Sequence, residues 1–243
     1  MPRYLLALTL CSAALAQKAF DVASFKPVRL VEGADYNSER IVAHPGTLSM
    51  SNIRVRTCIQ WAYGLHAYEL TGPAWLGEAN NYHSAPRFEI LAKAGPETPV
   101  ADLRLMLRTL LVERLKLVVH RETRELASWV LTIPDGHKLK PPTDPDGDLH
   151  LNPTTTGLVV ENASVEEFAD IISGPLHFPV VDRTGVAGRF NFSLDLSRYP
   201  VGNENEYYFS RAIREQLGLK VERQKLSIEM LVVDSGEKSP TEN

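Results

Sequence analysis

The sequence predicts an α+β fold built as a tandem duplication of a strand-helix-strand-strand / helix-strand-strand unit, with amphipathic helices covering small, mainly antiparallel sheets. Three observations lead there. Two helical apolar patterns recur at one constant offset, short alternating strands follow each of them, and a Pro/Asp-rich stretch without apolar period separates the halves. The chain has 243 residues, 44% hydrophobic and 23% charged, which suffices for one large core or two small ones and excludes a disordered tail or a collagen-like fibre.

In chain order, residues 1–16 come first: a basic start at Arg3, an apolar run from Tyr4 to Leu15, and Ala14-Leu15-Ala16 ahead of Gln17. This pattern reads as a secretory signal peptide. The run is too short to cross a bilayer as a helix, and no later segment reaches the roughly 18 to 20 apolar residues a span needs, so no transmembrane segment is expected in the mature chain. Export places the protein in the periplasm or outside the cell. Lipidation at Cys11 is disfavoured, because Leu8-Thr9-Leu10 stands where small residues should precede the cysteine. The mature chain keeps Cys58 alone, so no internal disulfide can form and packing must supply the stability.

The first unit, residues 17–133, contains a helix whose apolar positions are Val55, Cys58, Ile59 and Ala62, ending at Gly64. The second, residues 157–235, repeats it with Val165, Phe168, Ala169 and Ile172, ending at Gly174. Both sets have the i, i+3, i+4, i+7 spacing of one helix face, and a glycine supplies a left-handed stop. Cys58 on that face reads as a buried structural thiol. Ser164 and Glu167 form a capping-box pattern that Arg54 and Thr57 lack. Thr71-Gly72 and Thr184-Gly185 follow, then alternating strands from Arg87 to Leu91 and from Arg189 to Leu194. A second helix is marked by Leu103, Met106, Leu107, Leu110 and Leu111 in one half and by Phe209, Ala212, Ile213 and Leu217 in the other. Each leads into an expected pair of strands: Leu115 to Glu125 with Ser128 to Ile133, and Leu219 to Arg223 with Ile228 to Asp234. Residues 134–156 read as an exposed linker and 236–243 as a C-terminal tail.

The segments Phe20-Asp21-Val22-Ala23-Ser24-Phe25-Lys26-Pro27, Ala62-Tyr63-Gly64, Gly72-Pro73-Ala74-Trp75-Leu76 and Arg87-Phe88-Glu89-Ile90 together resemble a large soil-acidobacterial family of exported proteins of unassigned function. Leu110-Leu111-Val112-Glu113-Arg114, His120 to Glu125, Val181 to Gly185, Gln216 to Leu219 and the tail from Glu237 extend the resemblance over essentially the whole mature chain. It implies many paralogues per genome, some carrying this region behind a membrane metallopeptidase of the beta-lactam-sensor type. It supplies no catalytic residues. Asn191 stands where the resemblance leads one to expect Asp, so a catalytic role for that position would be lost in this chain.

Candidate chemistry is sparse. Lys and Arg total 26 against 30 Asp and Glu, without long runs of one sign, so nucleic acid is not an expected partner. On a strand, His120, Glu122 and Arg124 share one face and Arg121, Thr123 and Glu125 the other; the cluster could bind an anion or move a proton, but a solvated face laced with ion pairs is the more ordinary reading. Asp144-Pro145-Asp146-Gly147-Asp148 lacks the EF-hand spacing and reads as acidic linker. The seven histidines show no helical zinc spacing, and there is no nucleophile elbow, phosphate loop or dinucleotide fingerprint, so neither metal nor cofactor is expected. Asp182-Arg183-Thr184-Gly185 fits a tight turn as well as a site, and Trp75 fits burial as well as a ligand platform.

These features point to a non-enzymatic exported module that binds a small molecule, a peptide or an envelope protein. A cleft between duplicated units would be lined by Tyr63, Trp75, His120, Arg121 and Arg124 from the first and Asp182 and Arg183 from the second. The alternatives are an envelope hydrolase using His120 with Glu122 or Asp182, and a sensory or scaffold domain that pairs with partners at a sheet edge.

Overall fold

A computed structural model describes residues 18–28, 39–77, 85–176, 178–199 and 205–241; the expected signal peptide with Cys11, and also His83 and His177, lie outside the described residues. The elements of the first half are β1 (Val22–Pro27), β2 (Arg40–His44), β3 (Thr47–Arg54), α1 (Val55–Tyr63), β4 (Leu70–Thr71), β5 (Arg87–Lys93), α2 (Val100–Leu115) and β6 (Val118–Thr132). Those of the second are β7 (His150–Thr154), β8 (Gly157–Ala163), α3 (Val165–Leu176), β9 (Val180–Asp182), β10 (Phe190–Asp195), α4 (Asn205–Ala212), which runs on into a π-turn over Ile213–Leu217, and β11 (Lys220–Ser235). The content is mixed α and β in small, mostly antiparallel sheets, as the sequence predicts. Two compact units form, one from the chain up to Gly64 with Pro73–Val118 and Asp234 onward, the other from Leu65–Gly72 with Val119–Val233.

In the first unit an antiparallel sheet runs in the order β1-β5-β3-β2. Its inner face carries Phe25, Leu48, Met50, Phe88 and Ile90, and Val55, Cys58, Ile59 and Ala62 of α1 are all buried, so the predicted helix face is the packed one. Burial pushes the Cys58 thiol pKa up and keeps it protonated. Gly64 caps α1 at φ 65°, its N–H donating to the Gln60 carbonyl. Along α2, Leu103, Leu107, Leu110 and Leu111 are buried while Met106 is half-buried. The tail docks on this helix: Glu237 N donates to the Leu115 carbonyl at 2.6 Å and Thr241 N to the Arg114 carbonyl at 2.9 Å.

In the second unit an antiparallel sheet orders β10-β8-β7, and a further sheet orders β4-β11-β6-β9, with β4 parallel to β11 and β9 parallel to β6. Phe168 and Phe192 stack in the core with centroids 4.1 Å apart and both rings buried. The capping box of α3 is present, with Ser164 N donating to Glu167 Oε2 at 2.8 Å and Glu167 N to Ser164 Oγ at 3.1 Å.

Four elements depart from expectation. Gly174 does not stop α3, which continues through Pro175 to Leu176; Leu176 is fully buried, and that apolar anchor holds the last turn although neither glycine nor proline favours a helix. Residues 150–154, within the expected linker, form the edge strand β7; all five side chains are exposed, so no apolar alternation announces it, and Pro153 fits an edge. Each expected pair of strands after α2 and α4 is one continuous strand of 15 (β6) or 16 (β11) residues. Leu126-Ala127 and Gln224-Lys225-Leu226-Ser227 offer none of the Gly, Pro, Asn or Asp that a hairpin turn would use.

The two units share one local device. Asn52, at φ 52°, donates its N–H to Glu89 Oε1 at 2.9 Å while Arg87 Nη1 donates to the Asn52 carbonyl at 2.8 Å. In the other unit Asn162, at φ 53°, donates to Asn191 Oδ1 at 2.9 Å while Arg189 Nε donates to the Asn162 carbonyl at 3.0 Å. Asparagine tolerates the left-handed region, and each residue lies near the end of its strand, three positions before the first residue of the following helix. The Asn191 side chain therefore acts as a backbone acceptor at this turn.

Candidate functional site

A cavity of about 500 Å³ lies within the second unit, walled by His66, Tyr68 and Glu69 ahead of β4, Glu166 and Ala169 of α3, Val180 to Arg183 at β9, and Leu226 to Glu229 of β11. A one-turn 3₁₀ segment, Ala67–Glu69, presents the first group; the His66 N–H donates to Glu69 Oε2 at 2.9 Å and so fixes the turn. His66 Nδ1 lies 2.8 and 2.9 Å from the two carboxylate oxygens of Asp170, and Nε2 lies 3.4 Å from Glu166 Oε1. The Asp170 hydrogen bond raises the His66 pKa above its ordinary value against the opposing effect of burial, with the charges of Asp170, Glu69 and Glu166 adding to the rise. Tyr68 stacks on the imidazole with centroids 5.2 Å apart, and burial raises its phenol pKa, leaving a neutral hydroxyl on the wall.

On the β9 side, Asp182 Oδ1 accepts from Thr184 N at 2.8 Å and from Thr184 Oγ1 at 2.7 Å, an Asx turn that carries the chain away from the strand. Arg183 N continues the pairing by donating to the Leu131 carbonyl at 2.9 Å. The turn reading of Asp182-Arg183-Thr184-Gly185 describes the backbone, and both Asp182 and Arg183 also line the cavity. Among the described residues the exposed Arg183 guanidinium has no ion-pair or hydrogen-bond partner, and Asp182 Oδ2 accepts no hydrogen bond. Opposite them, Glu229 is bound by Arg121 from β6.

Of the seven residues singled out from sequence, Asp182 and Arg183 line this cavity and Arg121 meets it through Glu229. His120 and Arg124 flank Glu122 along the exposed stretch of β6, with His120 Nε2 3.8 Å from Glu122 Oε2 and Arg124 Nε bonded to Glu122 Oε1. Mixed charges solvated along a strand are what this stretch shows. Tyr63 and Trp75 belong to the first unit. Tyr63 lies under the Arg108 guanidinium, 4.5 Å from its ring centroid, and Trp75 is half-buried against Gly236, where a Cβ would stand 3.0 Å from the indole.

Sequence reasoning missed His66, Tyr68, Glu69, Glu166 and Asp170. One signal was present: Glu166 and Asp170 are carboxylates one turn apart on α3, an unfavourable i, i+4 pairing that a cation from elsewhere relieves. Among the described residues, no group of three or more His, Cys, Asp or Glu is arranged to hold a metal ion, and no helix is long and apolar enough to cross a membrane.

A family model described as "Protein of unknown function (DUF3738)" matches residues 56–235, and the chain belongs to that family. No curated protein and no solved structure matches it.

Proposed function

We propose that this DUF3738 member is an exported, non-enzymatic binding module whose ligand, a small molecule or short peptide, occupies the cavity of the second unit. The cavity carries this reading. Its volume of about 500 Å³ falls in the range typical of small-ligand sites, roughly 300–1,000 Å³, and polar groups converge on it from a turn, a helix and two strands. Export rests on the signal-peptide pattern of residues 1–16. The duplicated-unit reading is supported by the paired Asn–Arg devices at Asn52/Arg87 and Asn162/Arg189.

The hydrolase reading pairs His120 with Glu122 or Asp182; His120 and Glu122 lie along the exposed stretch of β6, and neither lines the cavity that Asp182 lines. Strand addition would use an open edge such as β7, but Pro153 removes a donor there, a device that blocks edge pairing.

Native mass spectrometry of the chain recovered from its exporting host tests the proposal. The expected spectrum starts at Gln17 and carries a retained small species that a Glu166→Arg variant loses. An uncleaved chain would refute export, and a bound species indifferent to Glu166→Arg would refute the site.

A further inference from the structure

The charges around this cavity do not balance. Glu229 is matched by Arg121, and the single His66 ring is shared between Asp170, 2.8 Å from Nδ1, and Glu166, 3.4 Å from Nε2. That leaves the carboxylates of Glu69 and Asp182, and a Glu166 that shares its cation with Asp170, on the wall against the Arg183 guanidinium. Glu69 spends one oxygen on the His66 N–H, Asp182 spends one on Thr184, and Arg183 spends none of its side-chain donors on the described residues. Tyr68 and Ser227 also line the space, and their hydroxyls make no hydrogen bond among the described residues. A neutral apolar ligand would strip water from all these groups and return nothing, whereas a purely anionic one would face the three carboxylates. A purely cationic ligand would leave the Arg183 fork unmatched.

We infer that the cavity takes a basic zwitterion: a carboxylate bound by Arg183 together with an ammonium or guanidinium bound among Glu69, Glu166 and Asp182. Arg183 suits the first task because its planar fork matches a carboxylate in two parallel hydrogen bonds. The surplus of carboxylates selects lysine-like or arginine-like ligands over neutral amino acids. A free basic amino acid and the C-terminal basic residue of a short peptide present the same pair of charges. The inference rests on the binding-module reading and names the ligand class for the same site.

The test is isothermal titration of the full mature chain with L-lysine, Gly-Gly-Lys, norleucine and cadaverine at low ionic strength. Norleucine lacks the side-chain ammonium and cadaverine lacks the carboxylate. Lysine or Gly-Gly-Lys is expected to bind at least about tenfold more tightly than either control, the loss of one matched charge. Whichever of the two binds more tightly identifies the free amino acid or the peptide end as the source. Arg183→Ala, at an exposed side chain, is expected to fold normally and to bring lysine down to the cadaverine level, while Glu166→Gln weakens lysine and cadaverine together. Equal binding of lysine and cadaverine, or an Arg183→Ala variant with undiminished preference for lysine, overturns the assignment. If none of the four binds while the species retained from the host still depends on Glu166, the zwitterion assignment fails and the module reading stands. If no species depends on Glu166 either, both fail.

Discussion

Replacing Asp170 by Asn is expected to destabilise the protein at acid pH and to leave it unharmed at alkaline pH. Asp170 accepts from His66 Nδ1 at 2.8 Å, and the two side chains are 40% and 27% exposed. A hydrogen bond to a charged group contributes about 1.5–3 kcal/mol, and partial exposure reduces this to roughly 1 kcal/mol. The sign follows from linkage. His66 has a folded pKa raised above its unfolded value, first by the Asp170 hydrogen bond, so its stabilisation is fully present below about pH 6.5 and is lost as pH rises through the higher folded value. Near pH 5.5 the Asn variant should therefore lose about 1 kcal/mol in urea unfolding. At alkaline pH, once the raised folded value has been passed and the imidazole is neutral, removing one of the two like charges at Glu166 and Asp170 leaves the variant equal to wild type or about a few tenths of a kcal/mol more stable. An NMR titration of the His66 ring protons should show the midpoint falling in the variant. The same stability loss at both pH values, or an unmoved midpoint, would refute the electrostatic account.

Three further outcomes follow from packing and local geometry. Phe168→Ala, which removes a fully buried ring stacked on Phe192, should cost about 3–5 kcal/mol in denaturant unfolding, and a loss below 1 kcal/mol would mean that the stack is not central to the core. Ser164→Ala breaks the reciprocal cap of α3 and should lower stability by about 1 kcal/mol, measurable as a shift in urea midpoint at unchanged slope. Cys58 should resist a thiol-alkylating reagent in the folded chain and react at the rate of an ordinary cysteine in denaturant; rapid native labelling would contradict its burial and raised pKa.

What the sequence determined by itself is short-range. The faces of α1 and α3, the Gly64 stop, the Ser164–Glu167 cap and the Asp182 turn each depend on residues within about two helical turns of one another, where period and cap chemistry act. The α+β class follows from the same signals. Where a local rule met a tertiary opponent it yielded, as when burial of Leu176 carried α3 past Gly174. The exposed stretches of β6, β7 and β11 carried no alternation to read, because a strand without a buried face has no apolar period. Only the tertiary structure decided the site. His66 and Asp170 are 104 residues apart and Arg121 and Glu229 are 108 apart; the i, i+4 carboxylates Glu166 and Asp170 hint that a cation is needed, but no local pattern says which residue supplies it. Asp182 and Arg183 could be picked out as a turn, but which carboxylates face them depends on how α3, β9 and β11 pack, and long-range packing is set by the whole core.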